Sequence, residues 1–210
     1  LTDFLHFLRQ DLGRMPHANI PVLLIFLSLI TAFGIISSHR PVLWQAFLPL
    51  LLMGLSYGMM ALSLDSLFRE DWEDGTLEWI ISEKKSLEMY ALAKIAIHWV
   101  RLGIPLTAIV GVISGFDSLP LMIGVAATTL TLTLLGATVS ALCLMTKSGS
   151  PLLPLLTLPL SIPMMVVSMG AVTTATGDFS YYLMLQSGLL AMAFAVSLMA
   201  CPFALRLSLR

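Results

Sequence analysis

Charged side chains are scarce in this chain of 210 residues: 11% are Asp, Glu, Lys or Arg and 58% are hydrophobic, where an ordinary soluble domain is about 25% charged. That shortage excludes a soluble globular enzyme. The 11 basic and 12 acidic residues nearly cancel, to a formal net charge of −1, so the basic stripe of a nucleic-acid binder is missing as well. Only two cysteines occur, Cys143 and Cys201, both inside apolar runs. No disulfide framework is expected, and both read as small buried hydrophobes. No Gly-x-x-x-x-Gly-Lys-Ser/Thr loop, His-Glu-x-x-His or Gly-x-Ser-x-Gly string is found, which removes the usual routes to ATP hydrolysis, zinc proteolysis and serine hydrolysis. The four histidines, His6, His17, His39 and His98, form no pair with ligand-like spacing. The expectation is a non-catalytic chain with no catalytic residues and no metal site.

What the sequence has instead is long apolar runs. A hydrocarbon core about 30 Å thick needs about 20 apolar residues of helix, and six stretches qualify: Pro21–Ser38, Val42–Leu64, Ile95–Ser114, Leu119–Met145, Leu152–Val172 and Tyr182–Leu205. Between them they hold one charge, Arg101. The runs are continuous rather than alternating, which excludes barrel strands. The expected fold is therefore all-α: a polytopic membrane protein, residues 1–210 forming a single transmembrane domain of six helices embedded in the lipid bilayer. The chain begins at Leu1, and no small-residue cleavage site follows the first run. That run is expected to be a retained span rather than a signal peptide.

Orientation follows from the basic residues. With six spans both termini share one side, which carries Arg9, Arg14, Arg69, Lys84, Lys85, Lys94, Arg101, Lys147, Arg206 and Arg210; the other side has Arg40 alone. Short loops rich in Lys and Arg stay in the cytoplasm, so both termini and the segment 65–94 are expected there. Proline marks the fifth span, where Pro154, Pro159 and Pro163 each remove a backbone donor. This helix is expected to be kinked or locally unwound and to face protein. Gly54 with Gly58, and Gly111 with Gly115, are small-xxx-small pairs that permit close packing.

Thirteen of the 23 charges fall between Asp65 and Arg101. Leu64, Leu67, Phe68 and Trp72 recur at helical steps with charges between them, which predicts an amphipathic helix continuing out of the second span. Gly75 is the expected stop, with Asp74 or Thr76 capping a second short helix that carries Leu77, Ile80 and Ile81. A helix lying on anionic lipid is rich in Lys and Arg, whereas Asp65–Met89 holds eight carboxylates against three basic residues, and two tryptophans. Acidic helices with aromatic anchors suit a groove on a soluble protein. Beyond it, Lys94, His98 and Arg101 share one helix face. Two readings stand for that face: long side chains snorkelling to the interface, or a cationic face receiving an anionic group.

The string Phe68-Arg69-Glu70-Asp71-Trp72-Glu73-Asp74-Gly75-Thr76-Leu77-Glu78, then Leu92-Ala93-Lys94 and His98-Trp99, and finally Leu155-Leu156-Thr157-Leu158-Pro159-Leu160-Ser161-Ile162-Pro163, resembles the CcmB family within the type-2 ABC exporter permeases. Many such permeases have a proline after the acidic motif, where this chain reads Ser82-Glu83-Lys84-Lys85-Ser86. The resemblance implies that 68–78 form a coupling helix docking on a separate ATPase subunit like CcmA. It also implies membrane partners like CcmC and CcmD, a second copy of the chain, and release of a heme-loaded chaperone like CcmE during cytochrome c maturation. ATP would be bound by the partner, and heme is the implied cargo; no heme ligand is readable in this chain, and the absence of Cys-x-x-Cys-His excludes covalent attachment. A bacterial inner membrane is the implied location, with a mitochondrial inner membrane as the alternative. Two other readings remain at this stage: a type-2 permease for a lipid, glycan or drug, and an ATP-independent carrier or scaffold whose acidic loop is a solvated connector.

Overall fold

The computed structural model describes residues 19–37, 41–83, 85–114, 118–144, 149–173 and 179–208. Nine α-helices and one π-turn account for nearly all of them: α1 (Asn19–Ser37), α2 (Pro41–Ser63), α3 (Ser66–Glu73), α4 (Thr76–Ser82), α5 (Leu87–His98), the π-turn (Trp99–Gly103), α6 (Ile104–Ile113), α7 (Leu119–Cys143), α8 (Gly149–Thr173) and α9 (Phe179–Ser208). Strands are absent among the described residues. Five helical stretches are long and apolar enough to cross a membrane: Phe47–Glu73, Leu87–Ile113, Leu119–Cys143, Leu152–Thr173 and Phe179–Ser208. A shorter apolar helix spans Pro21–Ile35. The molecule is an all-α polytopic membrane protein. Of the basic residues used for orientation, Arg9, Arg14, Arg40, Lys84, Lys147 and Arg210 lie outside the described residues, as do His6, His17 and His39.

Helix α7 is the centre of the bundle and packs against α2, α5, α6, α8 and α9. Its surface explains why. Thr128, Thr129, Thr131, Thr133 and Ser140 are buried along it together with Gly124, Gly136 and Ala137. Lipid tails are as apolar as leucine, so helices in a membrane associate through close packing and hydroxyl bonds rather than hydrophobicity. Several of these hydroxyls cross between helices: Thr128 meets Ser168 of α8 at 3.1 Å, and Ser140 donates to the Leu64 carbonyl at 2.9 Å. Gln186 of α9 donates to the same Ser168 at 3.1 Å. Close approach occurs at Gly136, where an added Cβ would lie 2.3 Å from a Leu64 methyl. Gly54 and Gly58, expected to pack closely, have no neighbour within 4 Å of such a Cβ.

The third span differs from the sequence expectation at both ends of its polar face. It starts at Leu87, two helical turns before Ile95, so the predicted 30-residue loop is a compact hairpin followed by helix. It is also broken in register by the π-turn, where the Ile104 N–H bonds to the Trp99 carbonyl. Pro105 is the physical cause: its ring clashes with the carbonyl four residues back, that of Arg101, in an unbroken α-helix, and a π-turn absorbs the misfit. Gly103 leaves room for the Trp99 ring, which would lie 2.5 Å from a Cβ there.

The proline-bearing span is helical from end to end. Helix α8 runs from Gly149 to Thr173 with Pro154, Pro159 and Pro163 inside it. It does not bury them: Pro159 and Pro163 are exposed and Pro154 half-buried. The buried face is Leu153, Thr157, Ser161, Met164 and Ser168, with Thr157 meeting Tyr57 of α2 at 3.3 Å. The hydroxyls on this side hold α8 to the bundle, leaving its prolines on the outer side.

Candidate coupling site

The hairpin of α3 and α4 is made by one residue. Gly75 has φ 77°, the left-handed region that a side chain disfavours, and it ends α3 as the sequence predicts. The N-cap position of α4 is Gly75, rather than the Asp74 or Thr76 expected, and the Asp74 carboxylate accepts the Thr76 N–H at 3.0 Å across the turn. Leu64, Leu67, Phe68, Leu77 and Ile80 are buried beneath the hairpin, as the amphipathic pattern requires. Trp72 and Ile81 depart from that pattern: both are exposed, Trp72 at 38%, and Trp79 is exposed at 46% as well.

The eleven residues Phe68 to Glu78 therefore divide into two faces. Glu70, Trp72, Glu73, Asp74 and Glu78 point outward, Arg69, Gly75 and Thr76 are half-buried, and Phe68, Asp71 and Leu77 point inward. Asp71 is an acid only 2% exposed. Lys94 of α5 meets its carboxylate at 2.7 Å, and the Tyr90 hydroxyl donates a hydrogen bond to it. The Tyr90 ring packs 6.1 Å from that of Phe68. A buried carboxylate is tolerable only when paired and hydrogen-bonded, and here both partners come from the third span. The hairpin is thus fastened to α5 by one ion pair, one hydroxyl and one ring contact.

Of the face of Lys94, His98 and Arg101, the first two are engaged from inside the chain. Lys94 is largely buried and does not snorkel outward; the anion it receives is Asp71. The His98 ring nitrogen Nε2 lies 3.1 Å from the Ser63 hydroxyl at the end of α2. Arg101 falls in the π-turn and is half-buried. Lys94 and His98 are thereby brought against the α2–α3 corner, which Ser140 of α7 also holds.

Elsewhere around the hairpin three of the described cations are engaged locally. Arg69 pairs with Asp65 at 3.3 Å, Arg206 of α9 with Glu88 at 2.8 Å, and the Lys85 ammonium sits 4.0 Å from the centre of the Trp79 ring. What remains outward is an acidic surface, Glu70, Glu73, Glu78 and Glu83, studded with two indoles. No group of three or more His, Cys, Asp or Glu side chains suited to a metal ion occurs among the described residues. Tyr90, Ser63 and Ser140 are the participants that sequence reading missed. Tyr90 had a signal, since it precedes Lys94 by four residues and so shares its face.

An apolar bundle capped at one end by a polar, outward-facing helical hairpin defines the class: a polytopic membrane protein whose polar surface is presented by an excursion between two spans. The chain belongs to the CcmB family, whose profile, described as CcmB protein, matches residues 11–210. It is similar to heme exporter protein B of Pseudomonas aeruginosa, 31% identical over 95% of this chain and 91% of that protein. Its similarity to heme exporter protein B of Haemophilus influenzae is 29% identity over 98% of both chains. With heme exporter protein B of Escherichia coli it shares 32% identity over 88% of each.

Proposed function

We propose that this chain is the membrane subunit of an ABC-type heme exporter complex in cytochrome c maturation. In this reading residues 1–210 act as one permease-like domain that hydrolyses nothing itself. A cytoplasmic ATPase like CcmA docks on the outer face of α3 and α4, and its motion reaches the bundle through the inner face. The observation that carries this reading is the Asp71–Lys94 pair: a force applied to the hairpin is delivered to the third span through a buried ion pair rather than absorbed by a loop. Family membership and the names of the relatives support heme as the cargo handled by the complex. The exposed tryptophans, residues favoured as anchors in protein interfaces, support a protein partner for the hairpin over a solvated connector.

The rest of the assembly follows from the same reading. The exposed proline face of α8 and the unpartnered Gly54 and Gly58 support neighbours within the membrane, of the CcmC and CcmD kind or a second copy. Release of a heme-loaded chaperone like CcmE is the output. The relatives are bacterial, which supports a bacterial inner membrane over a mitochondrial one, with the hairpin and both termini in the cytoplasm. The experiment is deletion of the gene with assay of holocytochrome c, alongside affinity purification of the tagged chain. Loss of holocytochrome c and co-purification of an ATPase are expected. Normal holocytochrome c would contradict the assignment, and a lipid, glycan or drug export defect in its place would favour the general type-2 permease.

A further inference from the structure

A hydroxyl inside a helix ordinarily returns to its own backbone. Ser56, Thr133 and Thr157, all buried, donate in this way to the carbonyl four residues back, at 2.7, 2.7 and 2.9 Å. Thr131, Thr138 and Ser197 do not. Their oxygens are buried without a hydrogen-bond partner among the described residues, and so is the amide oxygen Oε1 of Gln186. The one other side-chain atom in this condition there is Arg69 Nε, in the hairpin. The remaining four all lie on α7 and α9, which pack against each other. Hydrocarbon outside the bundle cannot satisfy such atoms, so four of them on one seam require a partner within it.

Around Gln186 the protons are already committed. Ser168 Oγ donates to the Gly124 carbonyl at 3.4 Å and accepts the Gln186 Nε2–H at 3.1 Å, so the Thr128 hydroxyl, 3.1 Å away, donates to it as well. Oε1 is left an acceptor with no donor. Helices α7 and α9 run the same way, since each is joined to α8 through five residues. From the level shared by Thr128 and Gln186, Thr131 is about one turn on; Thr138 and Ser197 lie about 15 and 16.5 Å on at 1.5 Å per residue. The four atoms thus fall at two depths, Gln186 with Thr131 and Ser197 with Thr138.

Size and charge decide what meets them. Gln186 is 3% exposed and Ser197 1%, which leaves no opening for a side chain of another protein. No Asp or Glu occurs in α7, α8 or α9, so a cation there would stand uncompensated within the membrane. A small neutral molecule that both donates and accepts fits, and buried water makes about three bonds to otherwise unsatisfied polar groups. We propose that the α7–α9 seam binds water at two depths, one molecule donating to Gln186 Oε1 and another serving the Ser197 and Thr138 hydroxyls. Helix α9 is then joined to α7 through exchangeable bonds, where α8 is joined to it directly through Thr128 and Ser168. The sites depend on the membrane fold alone, and neither the cargo nor ATPase docking enters.

The test is millisecond radiolysis of the full chain in detergent, with hydroxyl radicals formed from water and the oxidised side chains located by mass spectrometry. Two sulfurs report on the seam, since Cys and Met are readily oxidised. Met164 is one turn before Ser168, Cys201 is one turn after Ser197, and they are 1% and 0% exposed. Met60 of α2, also 0% exposed, is the control away from the seam. Oxidation of Met164 and Cys201 is expected while Met60 stays intact. Ser197→Ala with Thr138→Val should bring Cys201 down to the level of Met60, and Gln186→Leu should do the same for Met164. Denaturation of the Ser197→Ala variant gives a second reading: loss of a water-bonded hydroxyl should lower the folded-to-unfolded ratio about fivefold, whereas loss of an unsatisfied one leaves it unchanged or raises it. Met164 and Cys201 as inert as Met60, oxidation of Cys201 that survives the paired substitution, or a ratio that does not fall overturns the proposal. Oxidation of Met60 to the same extent would assign the labelling to a loosened bundle and overturn it too.

Discussion

Glu70, Asp71 and Glu73 stand almost side by side in α3, yet they belong to different environments. Glu70 and Glu73 project outward, whereas Asp71 is buried against Lys94 and Tyr90. A stretch that reads as uniformly acidic thus has an outer face open to its surroundings and an inner face bonded to the third span. The two faces also differ in what they contribute to the fold. Exposed carboxylates add little to stability, while removing one partner of a buried ion pair leaves an uncompensated charge and is strongly destabilising.

That difference can be broken from the inside first. Asp71→Asn and Lys94→Met are each expected to cost about 3–5 kcal/mol, measured by denaturation of the purified chain in detergent. Exchanging the two charges, Asp71→Lys with Lys94→Asp, should recover part of the loss. Costs below about 1 kcal/mol for the single variants would show that the pair does not hold the hairpin. Tyr90→Phe keeps the ring against Phe68 and removes one hydrogen bond to a charged group. A loss of about 2 kcal/mol is expected, and no change would mean that the hydroxyl is dispensable to Asp71. A smaller cost falls on the turn. Gly75→Ala forces a side chain into the left-handed region and should cost about 1–2 kcal/mol, readable as faster amide exchange confined to α3 and α4; exchange unchanged there would argue that another residue sets the turn.

Much of this was legible in the sequence, and what was not has physical causes. The apolar runs gave the spans because helix length and lipid thickness are fixed by the same geometry. Gly75 gave the hairpin because one backbone conformation is required there. Asp71 was read as one more outward acid, although Leu64, Leu67, Phe68 and Asp71 fall on a single helical stripe that already placed it inside. Its partner Tyr90 lies 19 residues away in a stretch that looked like loop, and composition gives no warning that a span begins at Leu87. The prolines of α8 mark the span as unusual, but proline content alone does not say which face packs within the chain. Proline inside a helix frees a backbone carbonyl, while the hydroxyls of Thr157 and Ser168 bond across to neighbouring helices and hold the face that packs. The π-turn depends on Gly103 and Pro105 acting together, a local misfit that hydrophobic periodicity does not register.

The outer face carries the central claim, and it can be changed with the least disturbance to the fold. Asp74 must be spared because its carboxylate accepts the Thr76 N–H in the turn before α4. Glu70→Lys, Glu73→Lys and Glu78→Lys combined are expected to shift stability by about 0.5 kcal/mol or less per site, as surface substitutions do. Co-purification of the ATPase with this variant, compared with the unmodified chain at equal expression, is the decisive measurement. The account predicts that the ATPase is lost and holocytochrome c with it, while the folded chain remains in the membrane. An ATPase retained in full on the charge-reversed hairpin would contradict it.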